Sequence, residues 1–457
     1  MRGHCVVFAL VLLGATASAS ESETIRAIVR KAKEQRNIPS VSVAVSRGGE
    51  LIFYEAIGFA DMEARTPASA DSVYQLGSIS KQFTAAGVMR LIERDQLKVD
   101  DRVSAFFPEA HSSWSDVRVS HLLHQTSGIR EFFTLPEVAK ALTDLSRSTG
   151  ELRRFILGEP LGFTPGERWS YSNSNYTLLA SIIEKISGVP YEQYLAREFF
   201  EPLGLQSIHQ CESKPTRAEL AKGYSVRAGK IVPEPIENMN WARGDGGLCG
   251  TAGDLVKWAR ALANGEVVTP HSYQQMISST PTADGIRASY GFGLSLVPLD
   301  GRIPKVSHNG AIGGFSAALA FYPEHDLAIA ILTNRNRLSP QVMEKEIARA
   351  LLDLPLPRFA GKPLPPAARR RYAGMYEIGL PEFEIRIVSR GSVLRIEAPP
   401  PAATSDLRHL GDGRFVAADD PDAVELQFSG DPGAPADRLQ LMMGGMHWYG
   451  RRVPERK

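Results

Sequence analysis

Only one serine in the chain is followed by lysine at the third position: Ser78, in Gly77-Ser78-Ile79-Ser80-Lys81. On a helix, residues so spaced share a face, which brings the Lys81 amine within hydrogen-bond reach of the Ser78 hydroxyl. A serine hydroxyl is a poor nucleophile at neutral pH and needs a base beside it. A desolvated lysine with a lowered pKa is such a base. The pair predicts attack on a carbonyl, set against the plainer reading of a helix-capping serine followed by a solvated lysine.

Two further groups are spaced along the chain so that they can converge on that pair. Tyr171-Ser172-Asn173 lies in the run from Pro165 to Tyr176, and His308-Asn309-Gly310 falls on a predicted strand. A phenol ionises at about 10, so Tyr171 needs a nearby cation to act as a base or proton relay. Beside Trp169 and Tyr176 it equally suits packing. The Asn173 carboxamide can orient Lys81 and meet a substrate. His121 and His124 lie three apart on an apolar pattern with no acid beside them, which reads as helix packing rather than metal binding. The chain has no His-Glu-x-x-His helix, no Gly-x-Ser-x-Gly elbow and no phosphate-binding Gly-Lys loop, so no metal or cofactor is called for.

In these three motifs, their order and their spacing, the chain resembles the class C β-lactamase, D,D-peptidase, D-aminopeptidase and esterase family of serine hydrolases over roughly residues 25–350. The likeness extends to Val119 through Ile129, to Glu201-Pro202-Leu203-Gly204-Leu205, to Gly246-Gly247-Leu248 with Thr251 and Asp254, and to Gly313-Gly314-Phe315. It implies a mixed α/β (α+β) domain in which an antiparallel sheet packs on terminal helices, with a helical subdomain inserted and the site between them. It also implies that Ser78 attacks the carbonyl while Lys81 and Tyr171 shuttle its proton, with His308 on the catalytic strand. The backbone N–H groups of Ser78 and Ala311 would form the oxyanion hole, and Asn173, Asn309 and Gly310 would meet the substrate. Two departures matter. His308 stands where many relatives carry lysine, and histidine is charged only part of the time. Asn309 replaces a frequent threonine or glycine. Both shift the expectation from β-lactam turnover toward peptidase, D-aminopeptidase or esterase work on a small amide, peptide or ester. A β-lactamase proper and a catalytically silent penicillin-recognising binder are the alternatives.

The elements that must position these residues are legible in outline. Ile25, Ile28, Val29 and Ala32 recur at helical spacing over Glu23–Gln35. Val41–Val45 and Leu51–Tyr54 flank Arg47-Gly48-Gly49-Glu50 as a hairpin, and Lys81–Asp95 is an apolar helix entered at Ser78. The stretch 100–264 is mainly helical, and its clearest helix, Tyr176–Ile186, stops at Ser187-Gly188. Strands are predicted over Tyr290–Val297, Lys305–His308, Phe315–Tyr322 and Leu327–Thr333, then a helix over Pro340–Leu352, so strands from both ends can share one sheet.

At 457 residues the chain exceeds what one core usually serves. A Pro-rich, basic linker, 355–371, separates a hydrolase domain, 20–354, from a region 372–457 of short alternating runs. That region resembles, more faintly, the small lipocalin-like β domains appended to some of these hydrolases, through Tyr372-Ala373-Gly374-Met375-Tyr376 and Trp448 to Val453. Such a domain can cover the cleft, bind a partner or merely complete packing. Residues 1–19 have a charged start, an apolar run from Cys5 to Leu13 and Ala17-Ser18-Ala19, the pattern of a removable secretory signal cleaved after Ala19 and thus of a periplasmic or secreted protein. Its removal takes Arg2 from 52 basic residues, leaving a balance with 51 acidic ones. Nothing in that balance asks for nucleic acid, and no stretch suits a stable membrane span. It also leaves two cysteines, Cys211 and Cys249, either disulfide-bonded or separately buried. Oligomeric state is left open.

Overall fold

The computed structural model describes residues 5–212, 220–379, 384–398 and 404–454, with side chains from Ser20 onward. Of the expected signal, residues 1–4 and the side chains through Ala19 lie outside the described structure.

Helix α1 (Cys5–Gln35) turns its Ile25, Ile28, Val29 and Ala32 onto a six-stranded sheet. β1 (Ser40–Arg47) and β2 (Glu50–Asp61) form the expected hairpin, turned by Gly48 and Gly49, both at positive φ. The sheet order is β3 (Thr66–Pro67), β2, β1, β9 (Leu327–Thr333), β8 (Phe315–Tyr322), β7 (Val306–Ile312), antiparallel throughout. The pairing of β1 with β9, Val41 opposite Thr333, is what brings the two ends of the domain together.

Every residue of β8 and β9 is buried, because both sheet faces are covered. Val41, Val43, Val45, Ile329 and Ile331 point at α1 and α5 (Pro340–Leu351). Ala44, Ala328, Ala330 and Leu332 point the other way, into a core shared with α2 (Ser80–Glu93), α3 (Asn173–Ser187) and α4 (Ala252–Ala263). The period-two alternation of large and small residues thus assigns the two faces. α3 ends where Gly188 takes a φ of 71°, as the sequence predicts.

The expected strand over Tyr290–Val297 does not form. Gly293, at a φ of 67°, bends this segment, which makes only isolated bridges, Tyr290 to Ser295 and Ser295 to Ser307. The proline-rich linker also departs from expectation: Pro366–Tyr372 is a short helix with proline at its first turn. Eight antiparallel strands, Gly374–Ile378 through Met446–Val453, then close into a barrel as the last strand pairs with the first, Arg452 opposite Tyr376. Tyr372, Tyr376, Phe415 and Phe428 pack inside it, with the Phe415 and Phe428 rings 5.5 Å apart.

A charged clamp ties barrel to hydrolase domain. Arg349 of α5 is buried and bonds Asp300 at 2.6 Å and Asp422 of the barrel at 3.0 Å. Lys345 donates to the Asp422 carbonyl at 2.8 Å, and Arg36 pairs with Asp420 at 2.9 Å. Arg349→Ala removes the guanidinium that holds Asp300 and Asp422 together across the domain boundary. It is expected to destabilise the protein by about 3 kcal/mol, read by denaturant unfolding.

Candidate active site

Ser78 sits in a single 3-10 turn (Gly77–Ile79) between β4 (Tyr74–Gln75) and α2. Gly77 precedes it at a φ of 54°, and a Cβ there would lie 2.8 Å from the Ala311 nitrogen. A Cβ on Gly310 would lie 1.9 Å from the Leu76 carbonyl oxygen. The nucleophile turn and the edge strand β7 therefore meet backbone to backbone, which only glycine at both positions permits. This contact sets the Ala311 backbone beside the serine, where the expected oxyanion hole needs it, and Ala311 is exposed there.

Lys81, at the start of α2, is fully buried. Its Nζ donates to Ser78 Oγ at 3.1 Å, to Asn173 Oδ1 at 2.6 Å and to the Asp245 carbonyl at 2.7 Å. Burial pushes its pKa well below the usual lysine range, with Asp245 and Glu131 pulling the other way. The same burial pushes the Asp245 carboxyl up, against the pull of Lys81. When Lys81 is an ammonium, all three protons are used. When it is the free amine, two still reach Asn173 and Asp245, and the lone pair faces Ser78.

Tyr171 stacks its ring 4.9 Å from Lys81 Nζ. Burial raises its pKa far above 10, only partly offset by the neighbouring Ser78 hydroxyl. Among the described residues its own hydroxyl has no well-formed hydrogen bond. Tyr171 is thus a neutral phenol beside Ser78 rather than a standing phenolate.

His308 is almost wholly buried. Its Nδ1 faces the Asn309 carbonyl at 2.7 Å, so Nδ1 carries the hydrogen and Nε2 accepts from the Tyr290 hydroxyl at 3.0 Å. Burial first, and the charge of Lys81 second, push its pKa down to about 3. The partial positive charge expected from its type is not realised: His308 is a neutral ring behind Tyr171, 6.3 Å between centroids. Asn309 is also placed differently from expectation, since its Nδ2 donates at 2.7 Å to the Gly444 carbonyl of the barrel. Gly310 serves close packing.

Several neighbours carry no sequence signal of their own. Glu131 accepts the backbone N–H of Asn173 at 2.6 Å and of Phe133 at 3.2 Å, and burial raises its pKa. Asp245 stands one residue before the Gly246-Gly247 motif, yet its proximity to Lys81 exists only in three dimensions. Cys211 and Cys249 are disulfide-bonded, Cα atoms 5.2 Å apart. They tie the residue after β5 (His209–Gln210) to the middle of β6 (Leu248–Gly250), and β6 pairs in turn with β4, just ahead of Ser78. His121 and His124 stay apart from this site; His124 packs on Phe292 and meets Thr280 at 3.1 Å. Among the described residues no group of His, Cys, Asp or Glu is arranged to hold a metal ion.

Because an added methyl at 310 must displace the Leu76 carbonyl, Gly310→Ala is expected to cut fluorophosphonate labelling of Ser78 at least ~10-fold while the far-ultraviolet spectrum stays native. Undiminished labelling would contradict the backbone contact.

The chain is similar to known proteins over the same region. The Beta-lactamase family model matches residues 25–354. A penicillin-binding protein of Bacillus subtilis (strain 168) is 29% identical over 64% of this chain and 68% of its own length. A D-aminopeptidase of Gluconobacter oxydans (strain 621H) is 28% identical over 69% of this chain but only 59% of its own length. Among solved structures, the octameric penicillin-binding protein homologue from Pyrococcus abyssi superposes with a TM-score of 0.67 at 24% identity, over 93% of this chain and 99% of that one, which shows a shared fold. With the serine–lysine pair, the antiparallel sheet and a family match across most of the chain, the protein belongs to the Beta-lactamase family of serine hydrolases.

Proposed function

We propose that the protein hydrolyses a small amide or ester through an acyl-enzyme on Ser78. The observation that carries this is the buried Lys81 amine, 3.1 Å from Ser78 Oγ and held there by two other acceptors. Ser78 Oγ attacks the substrate carbonyl, and its proton passes to Lys81 with Tyr171 as carrier. The carbonyl oxygen takes the negative charge against the Ser78 and Ala311 N–H groups. The C–N or C–O bond then breaks as the relay returns the proton to the leaving amine or alcohol. Water repeats the sequence on the acyl-serine, releasing the acid and restoring Ser78.

A neutral His308 supplies no cation for a substrate carboxylate, which disfavours β-lactams and C-terminal peptide carboxylates as the substrate class. The name D-aminopeptidase on a relative supports amides of small D-amino acids. A silent binder would not need a lysine buried against a serine. We infer export as well, from the charged, apolar and small-residue order of the first 19 residues and from the disulfide, which suits an oxidising compartment. Among the described residues no helix is long and apolar enough to cross a membrane.

Mass spectrometry after fluorophosphonate exposure is expected to find the adduct on Ser78 and none in Ser78→Ala; an unlabelled, folded wild type would refute the enzyme reading. Lys81→Ala should slow acylation by ~100-fold or more with the fold intact. Since the free amine is the active form and burial lowers its pKa, the acylation rate should rise with pH and level off well below about 10.4, the ordinary lysine value. A rate still climbing there would mean that Lys81 is not the base.

A further inference from the structure

The barrel does more than pack beside the hydrolase domain. Its last hairpin, Arg438–Met443 and Met446–Val453, reaches the catalytic strand. At the turn, the Gly444 carbonyl takes the Asn309 amide at 2.7 Å and the Gly445 carbonyl takes the Ser295 hydroxyl at 2.8 Å. Both glycines have positive φ, and a Cβ on Gly445 would lie 2.4 Å from Asn309 Nδ2, so bare backbone is pressed against the edge of β7. Just beyond, the Trp448 ring lies 5.7 Å from the Tyr171 ring and 5.8 Å from that of Trp169. Ser78, Tyr171 and Trp448 are each partly exposed.

The contact is built as a fixture rather than a lid. Beside the Arg349 clamp, the Arg168–Glu377 pair bonds at 3.0 Å with both side chains almost wholly enclosed, and the Tyr449 hydroxyl accepts the Ser289 N–H at 3.1 Å. A buried ion pair fixes geometry because separating its members leaves a charge without a partner.

Resting on the acyl-transfer reading above, we propose that Trp448 is a specificity-determining wall of the active site, by which the barrel limits the hydrolase to small groups on the carbonyl. The Asn309 amide, the polar group on this strand that could recognise a longer or charged substrate, is occupied by the same hairpin. Removing an aromatic side chain here opens space next to Tyr171 without adding charge, so longer apolar acyl groups should gain relative to short ones.

The test compares kcat/KM for p-nitrophenyl acetate and p-nitrophenyl octanoate in the full-length wild type, Trp448→Ala and Trp448→Phe, with fluorophosphonate labelling of Ser78 in each. In Trp448→Ala the octanoate-to-acetate ratio should rise at least ~10-fold, and Trp448→Phe should stay close to wild type. A merely structural role would lower both rates together and leave the ratio alone. A ratio within about twofold of wild type, in a folded variant that labels on Ser78, overturns the wall. Should Trp448→Ala not fold, Trp448→Leu decides by the same ratio. A wild type that is folded but unlabelled overturns the acyl-enzyme reading, and the wall falls with it.

Discussion

An amine with no access to water must find every hydrogen-bond partner inside the protein, and Lys81 obtains them from three separate parts of the chain. Ser78 comes from its own turn, Asn173 from the start of α3, and the Asp245 carbonyl from the loop before β6. Desolvation disfavours the charged form, so the same burial that makes the site demanding to build favours the neutral amine. The surrounding architecture follows from meeting those demands: α2 and α3 pack on each other, and β6 lies against β4 so that the loop before it meets the nucleophile turn.

The sheet contributes the remaining half of the site through a backbone contact. Strands from both ends of the hydrolase domain pair centrally, leaving β7 at the edge, where the Ser78 turn rather than another strand of the sheet lies beside it. Gly310 and Gly77 let that edge approach the nucleophile turn until the Ala311 and Gly77 backbones touch. A side chain at either position would hold the two apart by about its own width, and charge stabilisation of a tetrahedral oxyanion tolerates little misplacement.

The neutral state of His308 shows how environment overrides residue type. A free imidazole titrates near neutrality, but this one lies against Tyr171 and Tyr290, behind a lysine, with both nitrogens engaged. Its function in the molecule is therefore steric and hydrogen-bonding: it holds Tyr290, which in turn packs against Tyr171 with ring centroids 6.0 Å apart. The aromatic group continues into the barrel through Trp448 and Tyr449, so two domains share one small core that includes Tyr171.

The unique serine–lysine spacing, the three motifs in their order, the hairpin after α1, β8, β9 and the helix that follows them were all legible, because each depends on local periodicity or on residues close in sequence. The barrel was legible as short alternating runs and through its faint resemblance to lipocalin-like domains, though not in its strand pairing, since closure depends on Tyr376 finding Arg452 across the whole domain. Tyr290–Val297 misled because its apolar alternation is that of a strand while Gly293 turns it. Tertiary structure alone decided three things: that burial beside Asp245 and Glu131 sets the Lys81 amine, that His308 is uncharged, and that Asn309 belongs to the barrel rather than to the open cleft. Each is a property of what surrounds a side chain, and surroundings drawn from residues up to 164 positions apart, as Lys81 and Asp245 are, leave no local trace in the sequence.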